Sequence, residues 1–303
     1  MSLYDFFAVR LPEERLLKDE PMSRHTTFHV GGPAEVMFLP SGEEELAQAL
    51  LMAKEAACPV FFMGRGSNLL VRDGGIKGLV ILMGESFSGI RIEANDVYAK
   101  AGDGLIRLAG AAYEAGLSGL EFASGIPGSV GGGMAMNAGA YGGQLSDVTV
   151  SARLMDVNTG EVRELPIEEL KMGYRESRAL SNGEIVTGAH FRLKPGDKAE
   201  IKALMDELNR RRREKQPLSF PSAGSTFKRP TGYFAGALIE QAGLKGASVG
   251  SAEVSTLHAG FIINRGGATA ADILALMKHV TERVLETSGV TLEPEVRIIG
   301  SDA

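Results

Sequence analysis

A chain of 303 residues, 44% hydrophobic and 23% charged, has the apolar content of a globular protein with two or three domains. Its formal charge of −6 argues against a nucleic-acid binder, and a single cysteine, Cys58, excludes an intramolecular disulfide and a cysteine-based metal site. The first residues mix acids, bases and apolar side chains, which is no secretory signal, so the cytoplasm is the expected compartment.

Phe28 to Pro40 predicts a strand region, with a turn at Gly31–Pro33 and the strand at Glu35–Leu39. Ser41 and Glu44 have capping-box spacing and open a helix to about Ala57, with Leu46, Ala49, Leu50 and Ala53 on one face. Pro59 stops it, and Val60–Met63 predicts a short buried strand that ends in GRGSN, Gly64 to Asn68. A strand followed by glycine-x-glycine suggests a Rossmann fingerprint. Leu69 stands at the third glycine, however, and LLV continues as a strand, so a Rossmann site is rejected. What remains is a tight turn whose backbone N–H groups suit phosphate oxygens, or a glycine-rich hairpin with no ligand.

Short strands follow at about Leu79–Met83, Gly89–Ile92 and Val97–Ala101, then a helix at Gly104–Ala115 capped by Gly116. Ser124 to Gly143 comes next, with eight glycines in twenty residues. The wider run Phe122–Ser146 carries no charged side chain. It lacks the Leu/Ile/Val bulk of a membrane span, and Ile126, Val130, Met134, Met136 and Tyr141 set it apart from a flexible linker. It predicts a loop whose backbone lies against a ligand. Strands are expected at Val148–Asp156, Glu161–Leu165 and Glu184–Leu193. A helix at Lys198–Lys215 ends in four arginines, Arg210 to Arg213, which read as a solvated face near the helix C-terminus. After a proline-containing loop at Gln216–Pro230 come a helix at Phe234–Ala242, a strand within Leu257–Asn264, a helix at Ala270–Thr287 and a strand region at Val290–Ile299. Strands and helices in separate blocks suggest α+β, with the best boundary between Pro195 and Pro217.

Six motifs in one order carry a resemblance: GRGSN, SGIPGSVGGGMAMNAGAYG, GYRES, SAGSTFKRP, HAGFIIN and LEPEVRIIG. Together they resemble the UDP-N-acetylenolpyruvoylglucosamine reductase (MurB) family, in its shorter class without the tyrosine-loop insertion. The resemblance implies a vanillyl-alcohol-oxidase-type FAD-binding domain of two subdomains and a C-terminal α+β substrate-binding domain. The expected division is 1–66 and 67–197 for the FAD subdomains and 198–293 for the substrate domain, with a strand at about 294–303 free to return to the first. It implies non-covalent FAD, NADPH as reductant, a UDP-sugar enolpyruvyl ether as substrate, no metal, no nucleic acid, no membrane insertion and a monomer.

Taken alone, Arg175 in GYRES reads as a surface arginine pairing with Glu176, Ser225 as a turn serine, and Glu293 or Glu295 as an edge-strand acid. The resemblance makes Arg175, Ser225 and Glu295 the catalytic set. Arg175 would bind a carboxylate through its planar fork, Ser225 would give a proton to an enolate-like carbon, and Glu295 would be protonated or orient a donor. For the cofactor it implies Gly64, Arg65, Gly66, Ser67 and Asn68, then Gly125, Ile126, Pro127, Gly128, Ser129, Gly131 and Gly132, with Asn137 and Gly139 near the ring or ribitol. Lys215, Lys228, Gln241 and Asn264 would hold substrate. A flavin oxidase of the same fold and a non-catalytic FAD-binding protein stay as alternatives.

Overall fold

The elements of the computed structural model, which describes residues 2–302, follow the hydrophobic periodicity of the sequence. In chain order the main ones are β1 (Leu16–Pro21), β2 (Pro33–Phe38), α1 (Glu43–Glu55), β3 (Val60–Met63), β4 (Leu69–Val71), β5 (Ile76–Leu82), β6 (Ile90–Glu93) and β7 (Asp96–Lys100). Then come α2 (Leu105–Glu114), α3 (Val130–Met136), β8 (Thr149–Met155), β9 (Val162–Pro166), β10 (Ile185–Arg192) and α4 (Lys198–Lys215). The last are α5 (Ala235–Gln241), β11 (Ala252–Val254), β12 (Ile262–Asn264), α6 (Ala270–Ser288) and β13 (Arg297–Ile299).

The chain forms two units and passes between them more than once. The first holds the chain up to Lys18, Val36–Arg65 and Gly78–Arg212; the second holds Asp19–Glu35, Gly66–Lys77 and the chain from Arg213. In the first, one sheet has the order β1-β2-β5-β3, with β3 parallel to β5. The predicted face of α1 is buried on it: Leu46, Ala49, Leu50 and Ala53 join Val36, Phe38, Leu79 and Ile81 in one core. A five-stranded sheet has the order β9-β8-β10-β7-β6, every pair antiparallel. Alternation turns Val97, Ala99, Ala152, Leu154, Ala189 and Phe191 into a second core shared with α2 and α3.

The second unit is built around α6. Ile273, Leu276, Met277, Val280 and Val284 form a buried stripe that meets α5, β11 and β12. Thr269 and Asp272 close a capping box at its start, and Gly289 takes the left-handed conformation at its end. The carboxylate of Asp73, just after β4, also accepts the N–H groups of Ala270 (2.8 Å) and Ala271 (2.9 Å).

Four expectations change. The box at Ser41 and Glu44 does not form: Gly42 is the N-cap of α1, and Glu45 instead accepts the Ser41 N–H while Arg15 grips its carboxylate. The stretch expected to be all loop contains the helix α3, capped by Ser129. A short strand, Ser248–Val249, pairs with β11 where none was expected. The C-terminal strand shortens to β13, which runs parallel to β4. Pro294 upstream has no N–H to give a ladder and makes only an isolated bridge with Phe227. Among the described residues no helix is long and apolar enough to cross a membrane.

Candidate functional site

Each unit carries its own cluster of candidate residues. In the first unit the glycine stretch meets GRGSN through contacts too close for side chains. A Cβ on Gly64 would lie 2.1 Å from the Ser129 hydroxyl oxygen. That hydroxyl caps α3 by accepting the Gly132 N–H at 3.3 Å. Within α3, a Cβ on Gly131 would lie 2.8 Å from that of Ala101, and one on Gly133 3.0 Å from Leu105 and Leu145. The glycines therefore do two jobs. Gly131 and Gly133 let a short helix lie flat on its neighbours, and the amides of Val130, Gly131 and Gly133 are committed to Asp103, Ala101 and Ser129 carbonyls. Gly131 is thus a packing residue, a correction to its assignment to the cofactor. Ile126 packs against the second core. Pro127 and Gly132 are exposed, Gly125 and Gly128 are half-buried, and Ser129 is buried. Arg65 lies exposed beside Gly104.

The same stretch positions Arg175. Asn137, left-handed at φ 43°, ends α3, and its buried amide donates to the carbonyl of Gly173 (3.1 Å) and the hydroxyl of Ser146 (3.2 Å). Its own carbonyl accepts the Ser146 N–H at 3.0 Å. The Ser177 hydroxyl donates to the Ala135 carbonyl at 2.7 Å. GYRES is thereby bolted to α3 from both ends. Between the bolts, Gly173 and Glu176 close a tight turn that holds Arg175 at φ 58°, its guanidinium 5.3 Å from the Tyr174 ring centre. A left-handed arginine costs about 1 kcal/mol, and a turn pinned at both ends sustains it. Asn137 is therefore a bracket for Arg175; its side chain does not present itself to a ligand.

Arg212, expected on a solvated face with its three neighbours, is half-buried instead. It follows Leu208 by four on α4, so it continues the buried stripe of that helix. Its Cδ would meet a Cβ on Gly125 at 3.0 Å. Burial pulls its guanidinium below the ordinary value, and the Tyr141 phenol partly offsets this. Arg210 and Arg211 pair with Glu207 on the solvated side, as expected of them.

In the second unit, Gly66 sits at φ 61° against the backbone of His25 and Thr26, and its carbonyl accepts the Thr27 N–H at 3.3 Å. The Thr27 hydroxyl oxygen is buried and has no hydrogen-bond partner among the described residues. Such an orphan beside the Gly66 turn is a group that a bound acceptor would satisfy. Sequence patterning gave Thr27 no signal, since a threonine in an HTTF run looks like strand. Asn68 turns inward: its side-chain amide donates to the Glu295 carbonyl at 3.1 Å.

Ser225 and Glu295 arrive on adjacent backbone. The Thr226 carbonyl accepts the Glu295 N–H at 2.8 Å, and the Lys228 N–H donates to the Glu293 carbonyl at 2.8 Å. Ser225 is exposed, after Gly224 at φ 75°. Lys228 reaches the Glu293 carboxylate at 3.2 Å, an exposed pair worth about 1 kcal/mol or less. Lys215 and Gln241 are exposed at helix ends. Asn264 is a correction: its buried amide donates to the Phe28 carbonyl, and its oxygen accepts the N–H groups of Gly266 and Ala268, so it organises its own loop.

Comparison with known proteins decides the family. The chain is 50% identical over 291 residues to the UDP-N-acetylenolpyruvoylglucosamine reductase of Pediococcus pentosaceus, covering 96% of each chain. The chain belongs to the UDP-N-acetylenolpyruvoylglucosamine reductase family. A relative of the same name from Agathobacter rectalis is 52% identical over 303 residues, again 96% of each chain. The C-terminal domain of this reductase family matches residues 216–299, and an FAD binding domain family matches 34–166. The crystal structure of the reductase from Thermus caldophilus superposes with a TM-score of 0.80 at 38% identity, covering 93% of this chain and 97% of that one. The fold is accordingly an FAD-binding domain followed by the C-terminal domain of this family.

The residues present fit an FAD. The matched domain contains Gly64 with its closed contact to Ser129 and the uncharged run Phe122–Ser146, so that a diphosphate held there would be met by backbone N–H dipoles and not by charged side chains.

Proposed function

We propose that the protein reduces the enolpyruvyl ether of UDP-N-acetylglucosamine to the lactyl ether of UDP-N-acetylmuramate, taking electrons from NADPH through FAD. This reaction belongs to peptidoglycan synthesis, and a cytoplasmic monomer is the state we propose for the enzyme. The observation that carries the reading is likeness over nearly the whole length to reductases of that name.

Bound FAD supplies the hydride. The chain's residues do the rest. Hydride addition to one alkene carbon leaves negative charge beside the substrate carboxylate. Arg175, presented by its pinned turn, meets that carboxylate as a planar fork. Ser225 gives a proton to the other carbon, a step feasible for a weak acid because the enolate carbon is strongly basic. Glu295, on the backbone next to Ser225, orients the donor or carries the replacement proton. Backbone of Gly64, Gly66, Ser67, Gly125, Gly128, Ser129, Gly132 and Gly139 holds the cofactor, with Arg65, Thr27 and Arg212 as polar side chains toward it. Lys215 and Lys228 face the substrate diphosphate, and Gln241 a sugar or amide group.

The test is stopped-flow. Flavin reduction by NADPH should proceed unchanged in Ser225→Ala. Its reoxidation by the enolpyruvyl substrate should slow by about 100-fold or more. Unchanged reoxidation removes Ser225 from its role. A flavin oxidase of another substrate is the competing reading; it predicts NADPH consumption indifferent to the enolpyruvyl ether.

A further inference from the structure

Thr226 is the point where the two segments carrying Ser225 and Glu295 are joined. It is 1% exposed, and each of its polar groups is committed. Its N–H donates to the Gly260 carbonyl at 2.9 Å. Its carbonyl accepts the Glu295 N–H at 2.8 Å. Its hydroxyl accepts the Ile262 N–H at 3.0 Å. Glu295 is held from its other side as well: its carbonyl accepts from the Asn68 amide at 3.1 Å, and the Asn68 carbonyl accepts the Arg297 N–H at 3.0 Å. Two chain segments thus meet at Thr226, beside Ser225, and a third holds Glu295 through Asn68.

We infer that Thr226 is a positioning residue for proton delivery, fixing the offset between the Ser225 hydroxyl and the Glu295 carboxylate. The inference rests on the roles proposed above for those two residues. Any residue supplies the two backbone bonds; only the hydroxyl bond is specific to the side chain. Without it the buried Ile262 N–H has no partner, which costs about 1–3 kcal/mol unless the segment moves. That segment includes Gly260, whose carbonyl holds the Thr226 N–H, so a retreat of Ile262 toward water drags the residue next to Ser225 with it. Valine has the shape of threonine and no hydroxyl, so Thr226→Val isolates the hydrogen bond from packing. Serine restores the hydroxyl and removes only a methyl group.

The experiment compares wild type, Ser225→Ala, Thr226→Val and Thr226→Ser by stopped-flow, each with its FAD content and Tm measured. In Thr226→Val, flavin reduction by NADPH should stay within about twofold of wild type. Substrate-dependent reoxidation at saturating substrate should fall by about 10- to 100-fold, the loss expected of misplaced reacting groups. Substrate Kd should hold, and the solvent deuterium isotope effect on reoxidation should rise as proton transfer becomes limiting. Thr226→Ser should return the rate to within about threefold of wild type. If Thr226→Val does not fold, Thr226→Ala replaces it in the same comparison. Wild-type reoxidation in the hydroxyl-free variant, or a Thr226→Ser as slow as it, overturns the positioning role. If Ser225→Ala itself reoxidises normally, the proposed role of Ser225 fails, and that result is separate from a normal Thr226→Val beside a slow Ser225→Ala.

Discussion

Gly64 leaves no room for a side chain, because the Ser129 hydroxyl occupies the position of its missing Cβ. An alanine there must displace Ser129, the cap of α3, and such overpacking costs about 1–3 kcal/mol. Gly64→Ala should therefore weaken FAD binding to the apoprotein by about tenfold or more, measured by flavin fluorescence quenching, with far-UV circular dichroism unchanged. An unaltered affinity would separate Gly64 from the cofactor. GRGSN was legible in the sequence as a tight turn, because two glycines around one residue narrow the options, and Gly66 takes a left-handed φ of 61°. The partner at Gly64 was not legible, since Ser129 lies in another motif. Arg212 shows the opposite failure. In a run of four arginines each looks alike, yet successive residues differ by about 100° around the helix axis, and only Arg212 falls on the stripe of Leu208.

Among the elements, β3 and α4 have the bounds expected for them, and α6 runs one residue past its expected end. The periodic stripe of α6, the Thr269 box and the Gly289 cap each act over a few neighbouring residues. The second cap was hidden, because Asp73 is distant in sequence and aspartate after a strand carries no sign of its use. Asp73→Ala should lower unfolding free energy by about 1–2 kcal/mol in urea, since two charge-assisted bonds to helix N–H groups are lost. No change would mean that the Thr269–Asp272 box alone secures the helix start. In α3 the local signal pointed the wrong way. Three successive glycines oppose a helix at about 1 kcal/mol each, and close contacts with Ala101, Leu105 and Leu145 override that preference. At Ser41 a correct spacing failed because Arg15, from another segment, engages Glu45.

Over the whole molecule, stability at low pH depends on carboxylates that the fold holds ionised. Hydrogen bonds from Arg15 bring the Glu45 pKa from 4.5 to about 2. Burial pushes Glu43 up, but hydrogen bonds from Arg153 and Thr187 outweigh it and leave the carboxylate below its ordinary value, and His190 and Arg192 lower Asp96. A carboxylate with a lowered folded pKa contributes fully above its unfolded value and loses that contribution as pH falls through the folded one. The Glu45 contribution is therefore complete above about 4.5 and fades toward 2. Tm should decline with acid across that window, and Glu45→Gln should flatten the decline while lowering Tm at pH 7. A parallel decline in the variant would assign acid sensitivity to other groups. The interleaving of the two units is likewise a property of the whole chain: β4 and β13, near opposite ends of the sequence, are neighbours in the second unit.

The sequence by itself determined which segments are helices and strands where apolar periodicity runs for several turns, that the glycine stretch is not a membrane span, and, through six ordered motifs, the family. Those features are local or repeated, so each carries its own evidence. Only the tertiary structure decided which polar side chains are committed to the fold: Asn137 to the Arg175 turn, Asn264 to its own loop, Asn68 to the Glu295 carbonyl. It also assigned Gly131 to packing and Thr226 to the junction of the Ser225 and Glu295 segments. The physical reason is that a buried hydrogen bond needs a partner of the right kind at about 3 Å, and nothing in a residue's own neighbourhood says which distant segment will supply it.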